Sequence, residues 1–206
     1  MSLSSIAGVV IIGLAVAPLA IAGCGQPATT PDATGPGSSA LAPGSLGPPP
    51  SVAPGATPLV RIDPSLLTVL PRRVADQSVL ESSEVDAHAS VDASLARIAE
   101  SAVGAQAIDP GPGDYVQVLV ARLIPGALDA AGFQAWRDAY DLEACAGSGV
   151  AEDAERSIGG RDVFVAMCSN GLHTYQAWIP EGRLLVSALS GGSRDLGEPL
   201  FEDLTP

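Results

Sequence analysis

Lysine is absent from this 206-residue chain, and aromatic residues, cysteine and histidine are scarce. Ten arginines face 23 Asp and Glu residues, which gives a formal net charge of −13. No stretch gathers more positive charge than the pair Arg72-Arg73, so the chain carries no basic footprint for a phosphate backbone. The same deficit argues against adsorption of the folded part to anionic lipid, which takes clustered Lys or Arg worth about 1 kcal/mol each. We therefore expect no nucleic acid among the partners of this protein.

Familiar catalytic and metal-binding motifs are also missing. The chain contains no Gly-x-Ser-x-Gly, no His-Glu-x-x-His, no Walker loop and no Rossmann glycine pattern. The acidic run Glu152-Asp153-Ala154-Glu155 lacks the glycine-punctuated spacing of a calcium loop, and we interpret it as a solvated charge run. We expect His88 to be solvated, the alternative being a metal ligand with Glu84 and Asp92, and His173 to be hydrogen-bonded and partly buried. The sequence thus predicts no catalytic residue, no metal and no cofactor.

Residues 6–23 form an apolar run of eighteen positions that ends in small residues just before Cys24. A run of this length is typical of a secretory signal or of a marginal membrane span. Ile21-Ala22-Gly23-Cys24 resembles the lipobox of bacterial lipoproteins, in which an aliphatic residue and two small residues precede an obligatory Cys. That family normally carries Lys or Arg before the apolar run, whereas this chain begins with MSLSS.

The resemblance implies that residues 1–23 are a signal peptide, removed by cleavage after Gly23. Cys24 then receives a diacylglycerol and becomes the acylated first residue of the mature chain. Two acyl chains anchor a protein stably where a single chain is marginal. The resemblance therefore places the protein at the outer face of a membrane in a bacterial cell envelope. The alternative is an uncleaved signal-anchor helix with Cys24 as an incidental thiol, which also leaves the remainder outside the cytoplasm.

Residues 24–58 begin with the predicted acylated Cys and continue as a segment rich in Pro, Gly, Ser and Thr. Nine prolines fall within this segment, and Asp32 is its only charged residue. It has too little apolar surface to offset the entropy of ordering, so we expect a disordered tether. Its reach is roughly 100 Å if it is fully polyproline-like, at about 3.1 Å per residue.

Residues 59–206 hold all eight aromatic residues and 32 of the 33 charged ones, so we expect them to form a single extracytoplasmic domain. The predicted fold class is α+β: an antiparallel sheet with a C-terminal three-stranded meander, packed against two or three helices. The periodicity predicts a short element over 65–80, helices over 90–106, 129–143 and 195–204, and strands over 114–123, 161–168, 172–179 and 183–189.

The register of the predicted meander follows from its two turns, Asn170-Gly171 and Glu181-Gly182. If each turn has two central residues, Cys168 pairs with His173, and Ile179 pairs with Leu184. One face then reads Phe164, Ala166, Cys168, His173, Tyr175, Ala177, Ile179, Leu184, Val186 and Ala188. We expect the aromatic stripe of the second helix to cover this face, with the stripe formed by Phe133, Trp136 and Tyr140.

Cys145 and Cys168 are the remaining thiols once Cys24 is acylated. Cys145 follows the second helix, and Cys168 lies on the face that this helix is expected to cover. We therefore predict a disulfide between Cys145 and Cys168, which an extracytoplasmic location permits. The alternative is a pair of buried, inert thiols.

The other face of the meander carries Trp178, Met167, Leu185 and Val165, and it is apolar for a surface open to water. Either other elements cover it, or it is a possible ligand face. We favour a lipid-anchored envelope protein that acts as a non-enzymatic binding or accessory module for an unidentified envelope ligand or protein. The alternatives are a carrier of an apolar ligand in a cavity between sheet and helices, and an enzyme without a familiar motif. Such an enzyme would use residues such as Asp114, Tyr175 and Arg161.

Overall fold

The computed structural model describes residues 59–109, 111 and 113–206. The predicted signal peptide, the acylation site at Cys24 and the tether to residue 58 lie outside these residues. No helix in the part of the chain that the structure describes has both the length and the hydropathy needed to cross a membrane.

Three helices and ten strands make up the fold of the described residues. The helices are α1 (Ser83–Val91), α2 (Ala130–Ala144) and α3 (Gly197–Glu202). The short strands are β1 (Arg61–Ile62), β2 (Arg73–Val74), β3 (Gln77–Ser78) and β4 (Leu80–Glu81). The longer strands are β5 (Ala99–Asp109), β6 (Asp114–Leu123), β7 (Val150–Ile158), β8 (Arg161–Cys168), β9 (His173–Ile179) and β10 (Leu184–Gly191). Two 3-10 turns span Pro64–Val69 and Leu95–Arg97.

Eight strands form one sheet in the order β1-β5-β6-β10-β9-β8-β7, with β4 pairing on β5. The β1–β5 pair is parallel, and the other pairs of this sheet are antiparallel. Strands β2 and β3 form a separate small hairpin. The predicted α+β class is therefore confirmed as a large, mostly antiparallel sheet with few helices.

The sheet is covered on both sides by different elements. On the side that we call the helix face, α1 and α2 pack on residues such as Ala102, Leu185 and the aromatic pair Phe164 and Trp178. The opposite side, the tail face, packs against the turn Pro64–Val69 and α3. Its core includes Val103, Val116, Val120, Val163, Tyr175, Val186, Leu200 and Phe201.

The hairpin between β8 and β9 has a register one residue away from the predicted one. Met167 pairs with His173, and Phe164 pairs with Gln176. The loop holds three residues, and Gly171 takes a positive φ of 84° after a turn in which its N–H donates to the Cys168 carbonyl over 2.9 Å. Such a three-residue loop, a turn followed by a left-handed glycine, adds one residue to the two-residue turn that we assumed. Because side chains alternate along a strand, this single residue moves the whole of β8 to the other face relative to β9.

The predicted face of the meander is therefore wrong as a set. Phe164, Ala166 and Cys168 lie on the helix face, whereas the β9 and β10 residues of the set, from Tyr175 to Ala188, lie on the tail face. The second hairpin has the predicted register, with Leu184 opposite Ile179.

The predicted helix over 90–106 is also wrong. Helix α1 ends at Val91, and residues 99–109 form the strand β5. Most of this strand is buried on both faces, and in such a strand the apolar spacing does not distinguish strand from helix. Small residues dominate it because α1 packs directly on it: a Cβ added to Gly104 would lie 2.4 Å from the Cβ of Val85.

The remaining predicted elements agree more closely with the structure. The strand over 114–123 and the helix over 129–143 correspond to β6 and α2, and α3 is shorter than its predicted range. The element over 65–80 is instead a 3-10 turn followed by the small hairpin β2–β3. Strand β7 was not predicted, because it contains the acidic run 152–155 and nearly all of its side chains are exposed.

Candidate functional site

The structure separates the four residues of the possible ligand face. Trp178 and Leu185 lie on the helix face, and Val165 and Met167 lie on the tail face, because of the changed register. Leu185 and Val165 are buried, whereas Trp178 stays partly exposed. These four residues do not form one surface, and only Trp178 borders a large opening in the helix face.

Helix α2 is fixed to β8 and β9 at three points along its length. Near its start, Phe133 packs edge-on against Phe164 at 5.6 Å between ring centroids. Further along, the buried carboxylate of Asp141 accepts hydrogen bonds from Thr174 and Gln176, at 2.6 and 2.7 Å. At its end, the helix is joined to β8 by the disulfide between Cys145 and Cys168, whose sulfur atoms lie 1.99 Å apart. The helix therefore covers β8 and β9 but leaves the helix-face side of the edge strand β7 open.

The open region is a cavity of about 1000 Å³ that we call the aromatic groove. Phe164 and Trp178 lie along its floor. One wall is the first half of α2, and the other is the helix-face side of β7. The turn Gly160–Asp162 and the segment Ile179–Glu181 border its end.

The groove carries an excess of negative charge. Four exposed carboxylates line it: Asp153, Glu155, Asp162 and Glu181. Because these carboxylates are exposed to solvent, pairing one of them with a cation costs little desolvation energy.

Both arginines of the groove are already engaged within the domain. The Arg137 guanidinium donates to Asp138 at 2.7 and 2.9 Å, and its central carbon lies 4.2 Å from the centroid of the Phe164 ring. Arg161 donates to the backbone carbonyl of Leu204 at 2.5 Å and to that of Phe201 at 3.4 Å, which holds the C-terminal segment against the sheet. These arginines therefore leave the groove carboxylates without a partner that the structure shows.

The two histidines lie away from the groove. His88 is exposed in the last turn of α1. His173 is partly buried, and its Nδ1 lies 2.5 Å from Oδ2 of Asp195, which also accepts the hydroxyl of Tyr175 at 2.5 Å. Asp195 has a positive φ of 44°, and its carboxylate, like that of Asp114, accepts hydrogen bonds at the loop after β10.

The cluster of His173, Asp195 and Tyr175 has the wrong composition for nucleophilic catalysis. The cavity beside it is only about 100 Å³, and no Ser, Thr or Cys side chain lines it. Burial and the hydrogen bond to Asp195 raise the pKa of Tyr175 far above its ordinary range, so this phenol is not an activated nucleophile. We interpret the cluster as a structural contact that holds the loop after β10 in place.

The residues considered for an unfamiliar enzyme each have a separate structural partner. Oδ1 of the buried Asp114 accepts the backbone N–H of Ser193 at 2.5 Å, Tyr175 bonds to Asp195, and Arg161 holds the C-terminal segment. Within the residues that the structure describes, no group of three or more His, Cys, Asp or Glu side chains is arranged to hold a metal ion.

Of the groove residues, Trp178 had been predicted as part of a possible ligand face. Asp153 and Glu155 alternate along β7 and thus share one face, but this signal was hidden because Glu152, Asp153 and Glu155 read together as one acidic run. Arg137 and Phe164 come together only through the tertiary contact between α2 and β8. No protein-family model, curated protein or solved structure matches this chain.

Proposed function

We propose that this protein is a lipid-anchored envelope protein whose folded domain binds a basic peptide segment of a partner protein in the aromatic groove. The observation that carries the proposal is the partly exposed ring of Trp178 among four carboxylates, in a groove whose own arginines are engaged elsewhere. The domain acts as a binding module, and the proposal assigns it no catalytic step.

The domain itself contains an example of the proposed contact. The Arg137 guanidinium lies over the Phe164 ring while it pairs with a carboxylate. A positive group over an aromatic face gains about 0.5–1 kcal/mol at an exposed site. An arginine or lysine of a partner, placed over Trp178 and paired with Glu155 or Glu181, would repeat this arrangement.

The shape of the groove favours an extended partner over a small molecule. A small-molecule site usually buries most of its ligand's surface, whereas this groove is open along β7. Strand β7 is at one end of the strand order, and no other strand of the described residues pairs with its outer edge. A peptide in the groove can therefore continue beyond the rim without meeting another element of the sheet.

The proposed location depends on the N-terminal sequence. The lipobox at residues 21–24 supports cleavage after Gly23 and acylation of Cys24. The tether of residues 24–58 would span roughly 100 Å if it is fully polyproline-like, or roughly 30 Å as a coil. The disulfide between Cys145 and Cys168 is compatible with an extracytoplasmic compartment. Negative charge on the domain fits this arrangement, since the anchor and not the folded surface would hold it at the membrane.

Binding can be tested with a fluorescent nine-residue peptide of alternating Arg and Ser, measured by anisotropy with the full chain in detergent micelles. We expect binding that weakens with salt, and much weaker binding of the same peptide with citrulline in place of each Arg. Glu155→Gln should weaken binding about threefold, the range of an exposed ion pair. Trp178→Leu should weaken it by a similar factor.

The matched control is Glu152→Gln, which makes the same charge change on the same strand. Glu152 is exposed as well, but it pairs with Met167 and lies on the tail face, away from the groove. We expect this variant to bind like the wild type. If Glu152→Gln weakens binding as much as Glu155→Gln does, the attraction is a general effect of net charge and the groove proposal is wrong.

The anchor is tested separately by replacing Cys24 with Ala and following labelled palmitate. We expect that the variant neither incorporates labelled palmitate nor is cleaved after Gly23. Unchanged labelling of this variant would refute acylation at Cys24, whatever the outcome of the peptide experiment.

A further inference from the structure

A second cavity lies on the helix face, between α1 and α2. It has a volume of about 460 Å³, which is within the range of small-molecule sites. Its floor is the part of β6 and β10 that neither helix covers, and Leu119 and Leu189 supply its apolar surface. It borders the second half of α2, at Tyr140 and Glu143, whereas the aromatic groove borders the first half.

The floor of this cleft contains a buried polar group without a partner. Ser187 is 1% exposed, and its Oγ has no hydrogen-bond partner within the part of the chain that the structure describes. Gln176, the cross-strand neighbour of Ser187, donates to Asp141, but its Oε1 is also buried and without a partner. Most buried polar atoms in folded proteins are hydrogen-bonded, so two adjacent exceptions indicate a missing group.

The phenol of Tyr140 faces the Ser187 hydroxyl from α2. Burial raises the pKa of Tyr140 above its ordinary range, and the interaction with the Ser187 hydroxyl opposes this shift. A donor that enters the cleft beside Tyr140 would supply the partner that the Ser187 oxygen lacks.

The charges around the cleft indicate what that group is. Glu143 and Asp92 are exposed at the rim, and the buried carboxylate of Asp141 lies next to the cleft in α2. Oδ1 of Asp92 accepts the backbone N–H groups of Ser94 and Leu95 and the hydroxyl of Ser94. Among the described residues that line the cleft, His88 and Tyr140 are the other titratable groups, and Arg97 lies in the adjoining cavity that shares Asp92 and Glu143.

We propose that this cleft binds a small organic amine, with its ammonium group donating to Ser187 and its apolar body on Leu119 and Leu189. An ammonium is a donor without acceptors, which matches a hydroxyl oxygen that lacks a donor and a rim of carboxylates. This site is independent of the basic peptide proposed for the aromatic groove.

The test uses phenethylamine as the probe, and phenethyl alcohol as a neutral molecule of nearly the same shape. Amide shifts of the isotopically labelled full chain in detergent micelles report binding, with micelles alone as the blank for partition of the probe. We expect phenethylamine to shift the amides of residues 85–92, 117–119 and 187–189. We expect phenethyl alcohol to bind at least fivefold more weakly.

Two variants separate the polar contacts of the cleft. Ser187→Ala should weaken amine binding by about tenfold or more, the loss of one hydrogen bond to a charged donor. Glu143→Gln should weaken it about threefold. The matched control is Ser101→Ala, because Ser101 is equally buried and its Oγ equally lacks a partner, but it does not line the cleft.

The proposal is overturned by any of three results. The first is an absence of amide shifts in the cleft at about 10 mM amine, a concentration at which even a Kd of about 1 mM would be detected. The second is equal binding of the amine and the alcohol. The third is an equal loss of affinity in Ser187→Ala and Ser101→Ala, which would indicate an effect on folding instead of a contact.

Discussion

Replacing both Cys145 and Cys168 with Ala should destabilise the domain by about 3 kcal/mol. The disulfide joins residues 23 apart in sequence. Closing a loop of about this length in the unfolded chain corresponds to about 3 kcal/mol in the chain-entropy model. For a domain of this size, that difference lowers the midpoint of thermal unfolding by roughly 6–12 °C.

The assay is urea or thermal unfolding of the full chain in detergent micelles, followed by circular dichroism. Wild-type protein that has been unfolded and refolded in reductant is the matched control, since it lacks the bond but keeps both sulfur atoms. We expect its stability to fall to that of the double variant, whereas reductant should leave the double variant unchanged. Because Cys145 and Cys168 are 2% and 1% exposed, reduction should require unfolding.

The effect should also be local. The bond closes a loop that contains all of β7, and it fixes the end of α2, so the β7 wall of the aromatic groove depends on it. In the double variant, we expect faster hydrogen exchange of residues 144–158 than of β6. A loss of less than about 1 kcal/mol, or uniform exchange over the domain, would refute the view that this bond fixes α2 and β7.

Two further predictions concern the tail face and the tyrosines. Gly197→Ala should destabilise the domain by about 1–3 kcal/mol, because the added Cβ would lie 2.2 Å from the Tyr175 ring. Urea unfolding measures this loss. A variant as stable as the wild type would show that α3 shifts freely. Burial raises the pKa of Tyr115, Tyr140 and Tyr175 from its ordinary value. The absorbance change at 295 nm should therefore begin at a higher pH than in the unfolded chain, and Tyr175 should ionise only as the domain unfolds. Above pH 10 the unfolded chain releases phenol protons that the folded chain retains, so stability should fall with rising pH, by about 1.4 kcal/mol per pH unit for the buried Tyr175. Ionisation of all three phenols in the folded protein near pH 10 would contradict this account.

Local patterns were sufficient where one element could be recognised from its own residues. Valines alternate along β6 and a proline follows its end, and the range 114–123 was predicted as observed. The aromatic spacing of Phe133, Trp136 and Tyr140 identified α2 in the same way. The disulfide also followed from the sequence, because it needed only the end of α2 and the face of β8 to be correct.

Elsewhere the local pattern was compatible with two structures. The segment 99–109 has small and apolar residues on both faces, and its identity as a strand depends on pairing with β6 and on close packing against α1. The hairpin at Asn170-Gly171 was recognised, but its loop length was not. One additional loop residue exchanged the faces of β9 and β10 relative to β8, which separated Val165 and Met167 from Trp178 and Leu185.

The sequence by itself determined the excess of negative charge, the α+β class and the pairing of two cysteines. These properties depend on composition and on periodicity within single elements. The tertiary structure alone decided which side chains meet: Arg137 over Phe164, Trp178 beside the carboxylates of β7, and Ser187 beneath Tyr140. Each of these contacts joins residues far apart in sequence, and each depends on strand register, which a single residue in a turn can change.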